Sequence, residues 1–196
     1  MRITAGKYSS RHIKDPKGPV IRTTLDHVRQ ALFNLLGERV IGVKVLDLFS
    51  GSGALGIEAL SRGASHVTFV DRSLFCIRAI EANLESLSLT TLDPAPFALV
   101  RGEAVSVIKR LARSEETFDL VIMDPPYGRG LARKSLIALG RCAIVSPAGL
   151  VVVEHDRRES LPPEVEVKGE GEGGKLNLQR LQRYGDTALT IYERQQ

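Results

Sequence analysis

Residues 44–63, KVLDLFSGSGALGIEALSRG, constrain the fold of this chain more than any other stretch. Val45, Leu46, Leu48 and Phe49 give the pattern of a short buried strand. Gly51, Gly53 and Gly56 follow, and then a helical run with Leu55, Ala59 and Leu60 on one face. A strand, a glycine turn and a helix start let backbone approach a ligand closely. They also aim the free N–H groups of the first helical turn at it. The spacing is G-x-G-x-x-G, and Asp71 ends the next apolar run 20 residues past the first glycine, as nucleotide-binding folds require. A tight turn without a ligand would need the glycines alone; the placement of Asp71 favours a ligand.

Asp47 bears on which ligand. It sits inside the strand, just before the loop, and a carboxylate there would repel a pyrophosphate. S-adenosylmethionine has no phosphate and carries a cationic sulfonium and ammonium, so Asp47 favours it over NAD. A carboxylate that only caps the loop's own N–H groups is compatible with either. Ser52 lies between Gly51 and Gly53, but a hydrolase elbow needs glycine at position 50, where Ser50 stands.

With 196 residues and 43% hydrophobic content, the chain suits one domain with a small extension. No apolar run approaches the ~20 residues of a membrane span, and the N-terminus lacks the apolar core of a secretion signal. The expectation is a cytoplasmic monomer. Cys76 and Cys142 are far apart, which suits reduced thiols, and the four histidines are scattered, so no metal site is expected. Charge is uneven. Residues 1–29 hold seven basic side chains (Arg2, Lys7, Arg11, Lys14, Lys17, Arg22, Arg29) against Asp15 and Asp26, so that segment is +5 and the remainder −1. A basic arm on a near-neutral body is the footprint of nucleic-acid binding, although a merely solvated surface gives the same count.

Residues 1–14 alternate weakly and suggest a small hairpin, and Pro16, Gly18 and Pro19 mark a loop. Thr23 with Asp26 resembles a capping box. Val28, Ala31, Leu32, Leu35 and Leu36 then predict an amphipathic helix that Gly37 ends, with Arg29 facing outward. Beyond the glycine stretch, strand and helix alternate: strand 66–71, helix 73–87, a loop at 90–96, strand 97–101, helix 104–112, strand 118–123, helix 131–144 and strand 150–154. That order implies a parallel sheet with helices on both faces. Residues 165–168 and 187–192 read as two further strands, an antiparallel addition at the edge, with a glycine-rich loop at 169–174 after the first. The expected organisation is a basic arm over residues 1–22 and one α/β domain over 23–196.

Asp124-Pro125-Pro126-Tyr127 closes the apolar strand. Ligands in such sheets bind beyond the carboxyl ends of the strands, where the glycine loop also lies. Two prolines stiffen the backbone and remove two N–H donors. Acceptors remain, the Asp124 carboxylate and backbone carbonyls, beside the aromatic plate of Tyr127. Acceptors without donors suit a substrate presenting an exocyclic NH₂, as a nucleobase does. Hydrogen bonds would hold that nitrogen with its lone pair aimed at a methyl group, so catalysis is positioning and electrostatics. A proline-stiffened turn is the alternative.

Residues 47–56 together with 124–127 resemble the class I S-adenosylmethionine-dependent methyltransferases that act on exocyclic amines. The closer resemblance is to the RsmD family, bacterial 16S ribosomal RNA guanine-N2 methyltransferases. It runs through MRITAGKY, DHVRQALFNLL, DLFSGSGALGIEALSRGA, FVDRS, FDLVIMDPPY, GLVVVEHD and RYGDTALTIYER. It implies a Rossmann-like, seven-stranded, mainly parallel sheet whose last strand is antiparallel. It also implies that Asp47, Gly51 and Gly53 line the cofactor's methionine end, that Asp71 takes the ribose hydroxyls, that Glu103 and Ala104 meet the adenine, and that Phe49 and Arg72 are further cofactor-binding residues. Asp124 would touch both cofactor and amine, Pro125, Pro126 and Tyr127 would complete the catalytic turn, and Lys7, Arg11, Arg22, Arg29 and Tyr127 would meet RNA. The implied partner is small-subunit ribosomal RNA or the assembled small subunit, and the implied by-product is S-adenosylhomocysteine. Three positions depart from the family pattern: Thr23 replaces a proline, His27 an arginine, and Glu103 an aspartate. Competing readings are a DNA or protein amide methyltransferase, an NAD-dependent oxidoreductase, which leaves the Asp-Pro-Pro-Tyr turn unexplained, and a non-catalytic RNA-binding protein.

Overall fold

Apolar runs of five and six residues become the strands expected of them. In the computed structural model, β1 (Lys44–Leu48), β2 (His66–Asp71) and β3 (Phe97–Arg101) are parallel neighbours, with β2 in the middle. The structure describes residues 1–16, 26–89, 96–168 and 173–195. It divides into two units, Met1–Glu103 and Ala104–Gln196. Arg22, the Thr23 cap, most of the 90–96 and 169–174 loops and the arm boundary at residue 22 lie outside the described residues.

In the first unit, α1 (Asp26–Leu36) precedes β1, α2 (Ala54–Ser61) follows the glycine loop, and α3 (Leu74–Ser86) follows β2. All eight residues of α2 are buried, including Glu58 and Ser61. The sequence suggested one apolar face, but a second layer covers the other. Thr4 and Ala5 donate backbone N–H groups to the Glu58 carboxylate at 2.8 and 3.2 Å. Lys7 N–H reaches the Ser61 carbonyl at 2.7 Å, and Tyr8 N–H the Ser61 hydroxyl at 2.9 Å. The arm's hairpin is minimal, one bridge between Arg2 and His12, with Ile3 and Ile13 buried beneath it.

The outward placement of Arg29 is corrected by the structure. Its side chain is fully buried and lies 3.1 Å from Asp26 and 3.6 Å from Glu58. It also donates to the Arg2 carbonyl. The buried stripe of α1 is Val28, Arg29, Leu32, Phe33 and Leu36. The helix is therefore turned toward Arg29 and Phe33 relative to the apolar stripe read from sequence. A charge enters a core only when paired, and here the partner is Glu58 on another helix.

In the second unit, α4 (Ala104–Arg113) and α5 (Leu131–Cys142) pack together. Strands β4 (Phe118–Met123) and β5 (Val145–Asp156) are parallel. Three antiparallel strands follow in the order β8 (Thr187–Gln195), β7 (Gly174–Tyr184), β6 (Glu164–Val167), with β8 against β5. Eight strands are thus described where seven were expected. The additional one is β7, a segment read as loop and unassigned chain. Its pairing slips between Leu178 and Arg180, and of its residues only Leu176 is buried. A bulge breaks the two-residue period, so the segment carries no strand pattern.

Candidate active site

The first unit carries the glycine loop, which three side chains shape. Ser50 Oγ donates to the Asp47 carbonyl at 2.7 Å and accepts the Val70 N–H at 2.9 Å, tying the ends of β1 and β2 together. Asp71 Oδ2 accepts the Gly51 N–H at 3.0 Å, and its Oδ1 the Ser73 N–H at 2.8 Å. Asp47, 1% exposed, accepts the Gly56 N–H at 3.0 Å. So Asp47 caps α2, the alternative role weighed above, and the Gly56 N–H does not point at a ligand. Within this network Phe49 is held at φ +65°, a conformation costing a side-chain-bearing residue about 1–3 kcal/mol and typical of functional turns.

The glycines divide their roles. Gly53 has φ +80°, and a Cβ there would lie 3.0 Å from Ile80, so the turn itself requires it. A Cβ on Gly56 would lie 2.3 Å from the Phe69 ring and 2.8 Å from Val67. Gly56 therefore serves close helix-to-strand packing rather than ligand approach.

Arg72 and Glu103 follow the ends of β2 and β3 and form an exposed ion pair at 3.6 Å. The Gly102 N–H bonds the Asp71 carbonyl at 3.0 Å, joining these two turns. The first unit thus gathers Asp47, Phe49, Gly51, Gly53, Asp71, Arg72 and Glu103 at its strand ends. Ala104 is buried and opens α4 in the second unit. Of the expected arm contacts, Lys7 and Arg11 are exposed, and Arg11 donates to the Ser86 carbonyl at 2.5 Å. Lys14 is anchored through its backbone, whose N–H and carbonyl both bond Asn83 at 2.9 Å. Asn83 also donates to the Ser52 carbonyl of the glycine loop at 3.0 Å.

The second unit carries the other turn. β4 ends at buried Met123, in register with Val153. Asp124 and Tyr127 are half-buried, Pro125 is buried and Pro126 exposed. The Tyr127 hydroxyl donates to Thr187 Oγ1 at 3.1 Å, at the start of β8. Thr187 opens a stretch read from sequence as an edge strand and, within RYGDTALTIYER, as a family likeness. Nothing marks it as a partner of Tyr127, because the contact spans 60 residues.

Beside it, Asp156 takes both arms of Arg158, at 3.0 and 2.7 Å, and these hydrogen bonds hold its carboxyl well below the usual range. His155 is buried; its Nδ1 lies 2.9 Å from the Asp156 carbonyl and its Nε2 2.7 Å from Thr190 Oγ1. The carbonyl can only accept, so Nδ1 carries the proton and Nε2 accepts from the threonine. Burial lowers the His155 pKa. Burial likewise pushes Tyr192 up to about 12, and its hydroxyl donates to the Pro162 carbonyl at 2.7 Å. Among the described residues no group of three or more His, Cys, Asp or Glu could hold a metal ion, and no helix is long and apolar enough to cross a membrane.

Comparison with known proteins shows what the chain is similar to. Residues 1–193 match the family described as Conserved hypothetical protein 95. The chain is 35% identical over 194 residues to YlbH of Bacillus subtilis (strain 168), whose name proposes an rRNA methyltransferase; 99% of each chain is covered. It is 31% identical over 195 residues to the Ribosomal RNA small subunit methyltransferase D of Escherichia coli (strain K12), covering 100% of this chain and 90% of that one. A solved structure of yhhF from Escherichia coli, described there as a proposed methyltransferase, superposes with a TM-score of 0.78 at 27% identity. It covers 100% of this chain and 98% of its own. The fold is therefore the Rossmann-like methyltransferase fold.

Proposed function

Because the chain belongs to the RsmD family of ribosomal RNA methyltransferases, we propose that it methylates the exocyclic N2 amine of a guanine in small-subunit ribosomal RNA, with S-adenosylmethionine as donor. The observation that carries this reading is the 124–127 turn at the carboxyl end of β4. It offers a half-buried carboxylate and proline carbonyls as acceptors, beside a tyrosine whose hydroxyl is tied to Thr187.

The glycine loop fits the donor. Asp47 sets a negative charge beneath the loop while one of its oxygens caps α2, and each Asp71 oxygen accepts one backbone N–H while keeping a lone pair for a ribose hydroxyl. Gly51 and Gly53 shape the loop around the methionine end with Phe49 beside them, and Arg72, Glu103 and Ala104 serve the adenosine end. When bound, S-adenosylmethionine supplies an electrophilic methyl on its sulfonium.

Asp124 accepts a hydrogen bond from the guanine 2-amino group, the Pro125 carbonyl accepts the second, and Pro126 keeps the turn rigid. Tyr127 stacks on the base. The nitrogen lone pair is thereby freed from the ring and aimed, and the rate gain is one of position and fixed dipoles. With S-adenosylmethionine bound, transfer would form the N–C bond as the S–C bond breaks, leave S-adenosylhomocysteine and release the amine proton to solvent. Lys7, Arg11 and Arg22 supply phosphate contacts, whereas Arg29 belongs to the core. The chain acts in the cytoplasm as a monomer, on the RNA or on the assembled small subunit.

The test is incubation with methyl-labelled S-adenosylmethionine and, separately, total RNA, small subunits, DNA and protein, followed by digestion. Label in N2-methylguanosine is expected. Label in DNA or in a protein amide would establish the alternative substrate, and RNA binding with no labelled product at all would make the chain a non-catalytic RNA-binding protein.

A further inference from the structure

Tyr127 is not isolated on its side of the second unit. Its hydroxyl bonds Thr187, and Thr187 pairs directly with Tyr184 across the β7–β8 turn. Side chains of directly paired residues lie on the same face, and every second residue along a strand returns to it. Gln182 and Arg180 therefore continue the row that Tyr184 begins, clear of the bulge, which lies before Arg180. The Tyr184 hydroxyl donates to Gln182 Oε1 at 2.6 Å, which fixes those two on one face.

The row is accessible. Tyr184 and Gln182 are half-buried and Arg180 is exposed, with no ion pair to Arg180 among the described residues. From Tyr184 to Arg180 it runs roughly 13 Å, four steps of a strand. Asp156, in register with Thr187 on the same face, is already neutralised by Arg158.

An aromatic ring, an amide and an exposed guanidinium in line are the means by which single-stranded RNA is held: stacking on the ring, base-edge hydrogen bonds to the amide, phosphate at the arginine. We propose, resting on the methyl-transfer reading, that the β7–β8 hairpin is a second RNA-binding element. Its Tyr184–Gln182–Arg180 row seats the nucleotides flanking the target base, and Thr187 locks the Tyr127 ring to the head of that row. Charge complementarity commits the strip to RNA. Arg183, next on the strand but pointing to the opposite face, is the internal control.

The experiment measures affinity for an in vitro transcript of small-subunit RNA as a function of salt, with S-adenosylhomocysteine affinity and thermal midpoint taken on the same preparations. Arg180→Glu should weaken RNA binding and flatten the salt slope by roughly 0.7–0.9. Tyr184→Ala should weaken it roughly 5- to 100-fold, and Tyr184→Phe, which keeps the ring, should bind as wild type does. Arg183→Glu should leave affinity within about twofold. All four should keep wild-type S-adenosylhomocysteine affinity.

Unchanged affinity and slope in both Arg180→Glu and Tyr184→Ala would overturn the proposal, as would an equal loss in Arg183→Glu. Normal binding to the transcript with lost methylation of assembled subunits would assign the row to a ribosomal protein instead, and would equally overturn it. Affinity is read without turnover, so a wild-type chain that binds the transcript but methylates nothing defeats the methyl-transfer reading and leaves this one standing.

Discussion

The glycine loop of the first unit and the 124–127 turn of the second both follow a strand, yet they are held in shape by different means. The loop is shaped by left-handed backbone at Phe49, Gly51 and Gly53. Side-chain-to-backbone bonds from Asp47, Ser50 and Asp71 close it. The turn is stiffened covalently by two prolines, and its tyrosine is secured from a hairpin far along the chain. One region presents a shape, the other a few rigid acceptors. Damage to the loop should therefore appear in affinity and stability, and damage to the turn in rate.

Asp124→Ala breaks the comparison most directly. Methyl transfer in a single turnover should fall about 10²–10³-fold, the range for a lost preorganised polar contact, while S-adenosylmethionine titration is unchanged. Asp124→Asn keeps a carbonyl acceptor and should retain measurable activity. Loss of cofactor binding in the alanine variant would make Asp124 mainly a cofactor residue.

Asp71→Ala tests the loop from the other side. Calorimetry should show cofactor affinity weakened by about 1.5–3 kcal/mol as charge-assisted hydrogen bonds are lost. Part of that comes from the freed Gly51 N–H. Unaltered affinity would remove Asp71 from the site.

Gly56→Ala sharpens the distinction between packing and binding. The new methyl would press on Phe69, and overpacking of this kind typically costs about 1–3 kcal/mol in the denaturation midpoint. Cofactor affinity of the folded fraction should hold, since Gly56 faces β2. A stable variant that binds cofactor poorly would return Gly56 to the ligand.

The smallest effect is expected at His155. Burial lowers its folded pKa below the ordinary value near 6.5, so below that pH the unfolded chain takes up a proton that the folded chain resists. Stability should fall as pH drops from about 6.5 toward 5. That part of the slope should be absent in His155→Gln, measured by urea unfolding at each pH. Identical slopes would mean that His155 titrates freely in the fold.

How much of this was legible depends on how far away each residue's partners are. The turns at Gly51 and Gly53, the strands β1, β2, β3 and β4 and the acid at position 71 follow from local pattern, because a two-residue period, a left-handed turn and a strand end are settled within a few residues. Gly56 was legible as part of a motif but not in its role, since the atoms it avoids belong to β2. β7 was not legible, because a bulge breaks its period and its neighbours in the sheet, not its own pattern, make it a strand.

The sequence alone determined that this chain has an α/β methyltransferase fold with an acid-flanked glycine loop and an Asp-Pro-Pro-Tyr turn after a strand, because those features are written in contiguous residues. Only the tertiary structure decided that Arg29 is core rather than RNA contact, that Asp47 caps α2, and that Tyr127 is held by Thr187. Whether a charge is buried or a ring held depends on groups brought together from distant parts of the chain. Glu58 lies on α2, beyond β1, and supplies the carboxylate that makes the burial of Arg29 possible.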